Sequence, residues 1–393
     1  MSEVIVVLNA GSSSLKFSVY AVDHQRLKLS VRGQIEGLGT SPRFKARDPE
    51  GHILVESSPE WGRSFGQREA FAFLLQWLRG HGQPGTQIIA VGHRVVHGGG
   101  EFVGPTLIDQ SVMGRLDRFV PLAPLHQPHN LAAIKALMQL RPELPQVACF
   151  DTAFHHGRAR VTERFALPDS MFHDGLRRWG FHGLSYESIV RSLRSISPGL
   201  AAGRVIAAHL GSGVSLCAMQ DERSIDTTMS FSVLDGLPMG TRCGGLDPGA
   251  ILFLLRGGWT FERIEELLYK KSGLLGISGI SNDVRDLLAS DAPLAAEALD
   301  YFVYRIVREI GSLTAALGGL DVLVFTAGVG ENSPDIRRRV CAGLEWLNVR
   351  IDQDANRRSA QCISPTGQSP SVWVVPTDEE GIIASHTLSL VHR

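Results

Sequence analysis

The sequence predicts an α/β protein made of two similarly built domains. Three observations carry this. Short β-branched apolar runs alternate with longer stretches of helical periodicity. A strand, a turn of small residues and a returning strand occur twice, about 200 residues apart, roughly half the chain. Glycines and polar residues gather where apolar runs end, which is where ligands bind in such sheets. The length of 393 residues also suits two domains.

Val4–Leu8 reads as a buried strand, Asn9-Ala10-Gly11-Ser12-Ser13-Ser14 as a tight turn and Leu15–Tyr20 as the returning strand. Glu69–Arg79 is a helix with Phe71, Leu74, Leu75 and Leu78 on one face. Ile88–Val91 is an apolar run ending at Gly92-His93-Arg94. Asn130–Leu140 is expected as a helix capped by Asn130. Gln146–Phe150 delivers Asp151 at a strand end. The opening unit recurs as Val205–Leu210, Gly211-Ser212-Gly213 and Val214–Ala218. Leu294–Leu317 is a long helix. Asp321–Thr326 is a strand running into Ala327-Gly328-Val329-Gly330-Glu331-Asn332, followed by a helix capped by Ser333 with Pro334 at its first position. Val372–Val375 is the last strand and Gly381–Leu390 a closing helix.

Composition narrows the function. Charge is balanced at 39 basic and 40 acidic residues, which speaks against a nucleic-acid binder or a polybasic membrane-surface protein. No apolar run reaches the ~18–20 residues of a membrane span, and the N-terminus lacks the basic start of a secretory signal. The five cysteines are widely spaced with no C-x-x-C, as expected of reduced thiols in a cytosolic protein. There are 33 Arg but only 6 Lys, so a lysine within a motif stands out.

No Walker-type phosphate loop is present. Gly80, Gly82 and Gly85 match G-x-G-x-x-G, but after a helix and before a strand, the wrong order for a dinucleotide site. Three small-residue turns remain: Asn9–Ser14, Gly211–Gly213 and Gly328–Asn332. Glycine admits close approach of backbone N–H groups to phosphate, and serine adds donors. Three such turns favour a nucleotide held between domains. Lys16 shares a face with Ser12 and Ser14; it is either a solvated edge lysine or a phosphate contact.

Arg94 and Arg242 sit in glycine-rich segments, and His182 lies between aromatics and glycines. Isolated, such residues are surface ion pairs or satisfied structural histidines. At strand ends, guanidinium groups are placed to grip anions bidentately. Asp151 is either a structural partner of an arginine or a catalytic carboxylate. Asp378-Glu379-Glu380 either compensates a helix dipole or holds Mg²⁺. The set amounts to equipment for phosphoryl transfer, with the acceptor left open.

Beyond these readings, the chain resembles the acetate kinase family over nearly its whole length. The segments that carry the resemblance include VLNAGSSSLKF (7–17), GHRVVHGG (92–99), PLAPLHQPHNL (121–131), FDTAFH (150–155), RRWGFHGLSYE (177–187), AAHLGSG (207–213), LDGLPMGTRCGGLDPG (234–249), VFTAGVGENS (324–333) and PTDEEGIIA (376–384). The resemblance implies duplicated actin-like (RNase H-like) ATPase domains with the active site in the interdomain cleft. The domains would be 1–150, completed by a C-terminal helix at 381–393, and 151–380. It implies reversible, ATP-dependent phosphorylation of acetate, or of propionate or another short-chain carboxylate, by a cytoplasmic homodimer without nucleic-acid or membrane partners.

Residue by residue, the resemblance places Asn9 and Glu379 on Mg²⁺, for which Mn²⁺ can substitute. Ser12, Ser14 and Lys16 face the nucleotide phosphates, as does the segment His209, Leu210, Gly211, Ser212 and Gly213. Arg94 and Arg242 bind the carboxylate and the transferring phosphoryl group, and His182 hydrogen-bonds that group. Asp151 is the essential acid, with His126 nearby. Asp283, Val284 and Arg285 line the adenosine site with Gly328, Val329, Gly330, Glu331 and Asn332. Val96, Leu125, Phe181 and Val233 form the acyl pocket. The chain departs from the family pattern at Ser212, Val233 and Gly245, where asparagine, proline and an acidic residue are usual. Two other classes fit the nucleotide turns alone: a non-enzymatic actin-like ATP-binding protein, and an alcohol or sugar kinase using Asp151 as base.

Overall fold

The computed structural model describes residues 3–24, 26–58, 65–81 and 86–392. Gly82 and Gly85 of the G-x-G-x-x-G match lie outside them, and Gly80 is within the helix Gln67–His81. The chain divides into two compact units, residues 1–154 with 378–393, and residues 155–377.

Unit 1 is built on one eight-stranded sheet in the order β5-β4-β3-β2-β1-β6-β8-β7. Its strands are β1 (Glu3–Ala10), β2 (Ser14–Asp23), β3 (Arg26–Glu36), β4 (Arg43–Arg47), β5 (Ile53–Ser57), β6 (Gln87–Val95), β7 (Thr106–Leu107) and β8 (Gln146–Phe150). β1, β2 and β3 form an antiparallel meander, and β6 and β8 continue parallel to β1. The helices Gln67–His81 and Gln127–Leu140 cover one face. Phe71, Leu74 and Leu137 pack there on Val6, Leu8 and Phe17. Burying each such side chain is worth about 1.5–3 kcal/mol. The helix Glu379–Val391 packs against β6, β1 and β8. Gly92 permits this: a Cβ there would lie 2.4 Å from Thr387 Oγ1 and 2.5 Å from Ile383 Cγ2. The first turn of that helix is thereby seated beside the C-terminal end of β6.

Unit 2 has a five-stranded sheet in the order β11-β10-β9-β12-β13. Its strands are β9 (Val205–Leu210), β10 (Val214–Gln220), β11 (Arg223–Thr227), β12 (Val322–Thr326) and β13 (Ser371–Val374). Again a three-stranded antiparallel meander is extended by two strands parallel to its first. The same 3-2-1-4-5 order thus stands in both units, so the repeated strand–turn–strand pattern marks a repeated topology. The 25-residue helix Pro293–Leu317 buries Leu299, Phe302, Ile306, Ile310 and Leu313 at helical spacing. It stops at Gly318 in the left-handed region (φ 69°), where glycine carries no steric penalty.

Three local expectations are corrected. Asn130 does not cap its helix, which begins at Gln127 with Pro128 in its first turn and His126 at the cap position. Arg94 lies on β6 itself, since the strand continues through the polar residues to Val95. Ala327–Asn332 is a short helix leaving β12, not a turn, and Ser333 then caps the helix Pro334–Ala342 through Ile336 N. No helix among the described residues is long and apolar enough to cross a membrane.

Candidate functional site

Unit 1 gathers a cation and its oxygen partners at the C-terminal ends of β1, β6 and β8. Arg94 projects from β6, and Asp151 follows β8 directly, its N–H donating to Val95 O at 3.1 Å. The pair is bidentate: Arg94 Nε donates to Asp151 Oδ1 at 2.9 Å and Nη2 to Oδ2 at 2.6 Å. Arg94 Nη1 reaches Asn9 Oδ1 at 3.5 Å, and Glu379 Oε2 lies 3.8 Å from Nε. Burial opposes the charge on Arg94, but Asp151 and Glu379 outweigh it, so the guanidinium holds its proton more tightly than usual. Burial pushes the Glu379 carboxyl well above the ordinary carboxylate range, against the pull of Arg94 and with repulsion from Asp151 and Glu380. A carboxylate held this way is stabilised by a cation. The amide oxygen of Asn9 and the carboxylate of Glu379 are hard donors, so the set fits Mg²⁺. Asp378 caps the helix through Gly381 N.

Asn9 stands opposite Lys16 in the β1–β2 register, so both occupy one face of the hairpin. Lys16 and Ser12 are exposed and Ser14 is half-buried. Gly11 N donates to Ser14 O at 2.8 Å and closes the turn. Asn130 is a residue that sequence reasoning misassigned. Its amide ties the two strand ends together, accepting from Val96 N and donating to Ala10 O. Val96 is buried, whereas Leu125 is 36% exposed on the segment before His126. The other two histidines here are structural. His93 is buried against Gln146, and its pKa falls to about 4 through burial. His97 Nδ1 accepts from Gly99 N.

Unit 2 carries a cavity of about 670 Å³. Of the expected residues, Gly211, Ser212, Arg242, Asp283, Val284, Arg285, Gly328, Val329 and Asn332 line it. Thr241, Asn282 and Phe302 line it too; the first two flank motifs the sequence displayed, while Phe302 reads only as a core helix position. Asp283 and Arg285 pair at 2.6 Å, which holds the Asp283 carboxyl down to about 2. Glu331 turns away from this role, its Oε1 accepting from Ala327 N and Thr377 N. Gly330 is buried, its carbonyl bonded by the wholly buried Arg337.

His182 and His209 stand at the neck of the β9–β10 turn, their rings stacked 4.2 Å apart. His182 has a left-handed backbone (φ 57°) before the helix Gly183–Ile196, a costly conformation for a non-glycine residue. A Cβ at Gly213 would lie 2.8 Å from His182 Nε2, so a larger residue there must displace that ring; the same point is 3.8 Å from Arg242 Nη1. Arg242 Nη1 donates to Val233 O at 3.0 Å. Phe181 is fully buried and Val233 half-buried.

Known proteins resemble this chain along nearly its whole length. Residues 4–385 match the acetokinase family. An acetate kinase of Rhodopseudomonas palustris is 51% identical over 99% of both chains. Among solved structures, a propionate kinase from Francisella tularensis superposes with a TM-score of 0.91 at 35% identity, covering 98% of this chain and 99% of that one. Porphyromonas gingivalis acetate kinase gives 0.87 at 36% identity, covering 99% and 100%. With its motifs, its duplicated topology and a full-length match, the chain belongs to the acetokinase family.

Proposed function

We propose that the protein transfers the γ-phosphoryl group of ATP to acetate, giving acetyl phosphate and ADP, reversibly and without a covalent enzyme intermediate. The observation that carries this is the bidentate Arg94–Asp151 pair. Each Asp151 oxygen already accepts from the guanidinium, which favours an orienting role over that of a base for a hydroxyl acceptor or of a phosphate carrier. A carboxylate acceptor needs no base, being ionised at neutral pH. Its obstacle is repulsion between two anions, which Arg94, aimed by Asp151, relieves. An arginine at a phosphoryl transition state is worth about 10³–10⁵ in rate.

ATP occupies the unit 2 cavity, its adenosine against Asp283–Arg285, Gly328, Val329 and Asn332 and its phosphates toward Gly211–Gly213. Ser12, Ser14 and Lys16 are further phosphate contacts in this reading. Asn9 and Glu379 hold Mg²⁺, which when bound offsets phosphate charge. Arg242 and His182 donate to the transferring group. One carboxylate oxygen attacks the γ-phosphorus in line, and the β–γ bridging oxygen leaves with ADP. Val96, Leu125, Phe181 and Val233 receive the acyl chain; one extra methylene changes such selectivity by only about 1–3 kcal/mol, so propionate is a second substrate.

The protein acts in the cytoplasm as a homodimer. The helix Pro248–Arg256 offers a surface for the second copy: it buries none of its residues, and Phe253 is 75% exposed. The test of the activity is incubation with Mg-ATP, acetate and hydroxylamine. Acetyl hydroxamate is expected; none from acetate, propionate or butyrate refutes the assignment.

A further inference from the structure

We infer that Ser215 and Tyr186, with Ser185 and Thr377 beside them, are positioning residues that fix the proton of His182 and His209 on Nε2. The role assigned to those protons rests on the phosphoryl-transfer reading above; the tautomer itself does not.

Two chains of hydroxyls end on the two stacked rings. In the first, the Tyr186 hydroxyl meets Ser215 Oγ at 2.5 Å, and Ser215 Oγ meets His182 Nδ1 at 2.9 Å. In the second, Thr377 Oγ1 donates to Ser185 Oγ at 2.9 Å, and Ser185 Oγ meets His209 Nδ1 at 2.8 Å. Tyr186, Ser215 and Ser185 are each 0% exposed, so their hydroxyls are satisfied by protein groups.

Each serine has one proton to place. A phenol is more acidic than an alkyl hydroxyl, so Tyr186 donates to Ser215 and leaves the serine proton for His182 Nδ1. Thr377 likewise donates to Ser185, which turns its proton to His209 Nδ1. A neutral imidazole that accepts at Nδ1 carries its hydrogen at Nε2. Two imidazolium ions 4.2 Å apart would repel, so the stacking disfavours charging both rings at once.

The Nε2 atoms face the small-residue turn. A Cβ at Gly213 would lie 2.8 Å from His182 Nε2, and one at Gly211 would lie 3.1 Å from His209 Nε2. Two N–H donors are thus aimed at successive glycines of the segment assigned to phosphate. The opposite tautomer would present lone pairs to an anion. Preorganised donors of this kind need no reorientation as charge develops.

The test reads the rings directly. In the intact protein labelled with ¹⁵N in its histidine rings, His182 and His209 should each show a pyridine-type Nδ1 and a pyrrole-type Nε2. In Ser215→Ala and in Tyr186→Phe, which retains the ring, the His182 signals should move toward mixed tautomers. With Mg-ATP and acetate, kcat should fall about 10- to 100-fold in both variants, the usual effect of losing an outer orienting group, while both KM values change less than about threefold. A pyrrole-type Nδ1 in the unsubstituted protein overturns the inference, as does turnover within about twofold in both variants. If the unsubstituted protein makes no acyl phosphate, the activity assignment fails, while the nitrogen spectra still decide the tautomer.

Discussion

Asp151→Asn is the substitution with the most to say about how Arg94 is aimed. The change is isosteric and keeps an acceptor for Arg94 Nε. It places an amide –NH₂ where Oδ2 now receives Nη2–H at 2.6 Å, or leaves Nε facing that donor if the amide flips. One of two hydrogen bonds is therefore replaced by opposed donors. Asp151 is 2% exposed in its side chain and Arg94 26%. Removing one partner of a buried pair costs about 3–5 kcal/mol; the partial exposure of Arg94 points to the lower end. For a folding unit of this size, about 3 kcal/mol lowers Tm by about 6–12 °C. Arg94 remains present but misdirected, so kcat/KM for acetate should fall at least ~100-fold, a fraction of the 10³–10⁵ attached to such an arginine. Hydroxamate formation gives the rate and calorimetry the stability. A thermal double-mutant cycle with Arg94→Ala and Asp151→Ala should return a coupling near 3 kcal/mol. An Asp151→Asn variant that keeps kcat/KM within about fivefold, with a coupling below about 0.5 kcal/mol, rules out the orienting role of Asp151.

Three further outcomes are expected. Gly213→Ala should fold normally yet lose most turnover, because the new methyl group would meet His182 Nε2; normal turnover in a well-folded variant counts against a phosphate niche there. Arg285→Ala should raise KM for ATP with little change in kcat or Tm, as its ion pair with Asp283 is largely solvated and worth little to folding; an equal loss in kcat would place it elsewhere in the reaction. His93 titrates near 4 when folded and near 6.5 when unfolded, so the unfolded chain binds the extra proton. Its contribution is intact above about 6.5 and is lost as pH falls toward 4, by about 3 kcal/mol at 1.36 kcal/mol per pH step; His93→Gln should flatten that part of the calorimetric stability profile.

The sequence carried the elements whose signal is local. β-branched runs located β1, β9, β12 and β13, and apolar spacing located the helix Pro293–Leu317. The recurrence of hairpin and turn anticipated the shared strand order. What it could not carry was contact between distant residues. β6 was cut short at Val91 because its last residues are polar; they stay in the strand because it lies between β1 and β8, with ladder bonds on both sides. Asn130 looked like a cap because caps are recognised by type, whereas its amide is consumed by Val96 and Ala10. Arg94 and Asp151 were each singled out, but whether they paired depended on β6 and β8 being neighbours. Nothing in the sequence marks Ser215 or Tyr186 as a positioning residue, although Tyr186 lies in the segment 177–187 that carries the resemblance. A serine on a buried strand and a tyrosine on an amphipathic helix are ordinary until the fold brings their hydroxyls together.

Under the proposed function, a carboxylate oxygen attacks phosphorus and becomes the bridging oxygen of the acyl phosphate. This attack is tested most directly with acetate bearing ¹⁸O at both oxygens, incubated with Mg-ATP and hydroxylamine. Hydroxylamine takes the acyl group, so the bridging oxygen leaves with phosphate. Acetyl hydroxamate together with phosphate carrying one ¹⁸O is expected; hydroxamate accompanied by unlabelled phosphate, or no hydroxamate at all, rules out carboxylate attack on phosphorus.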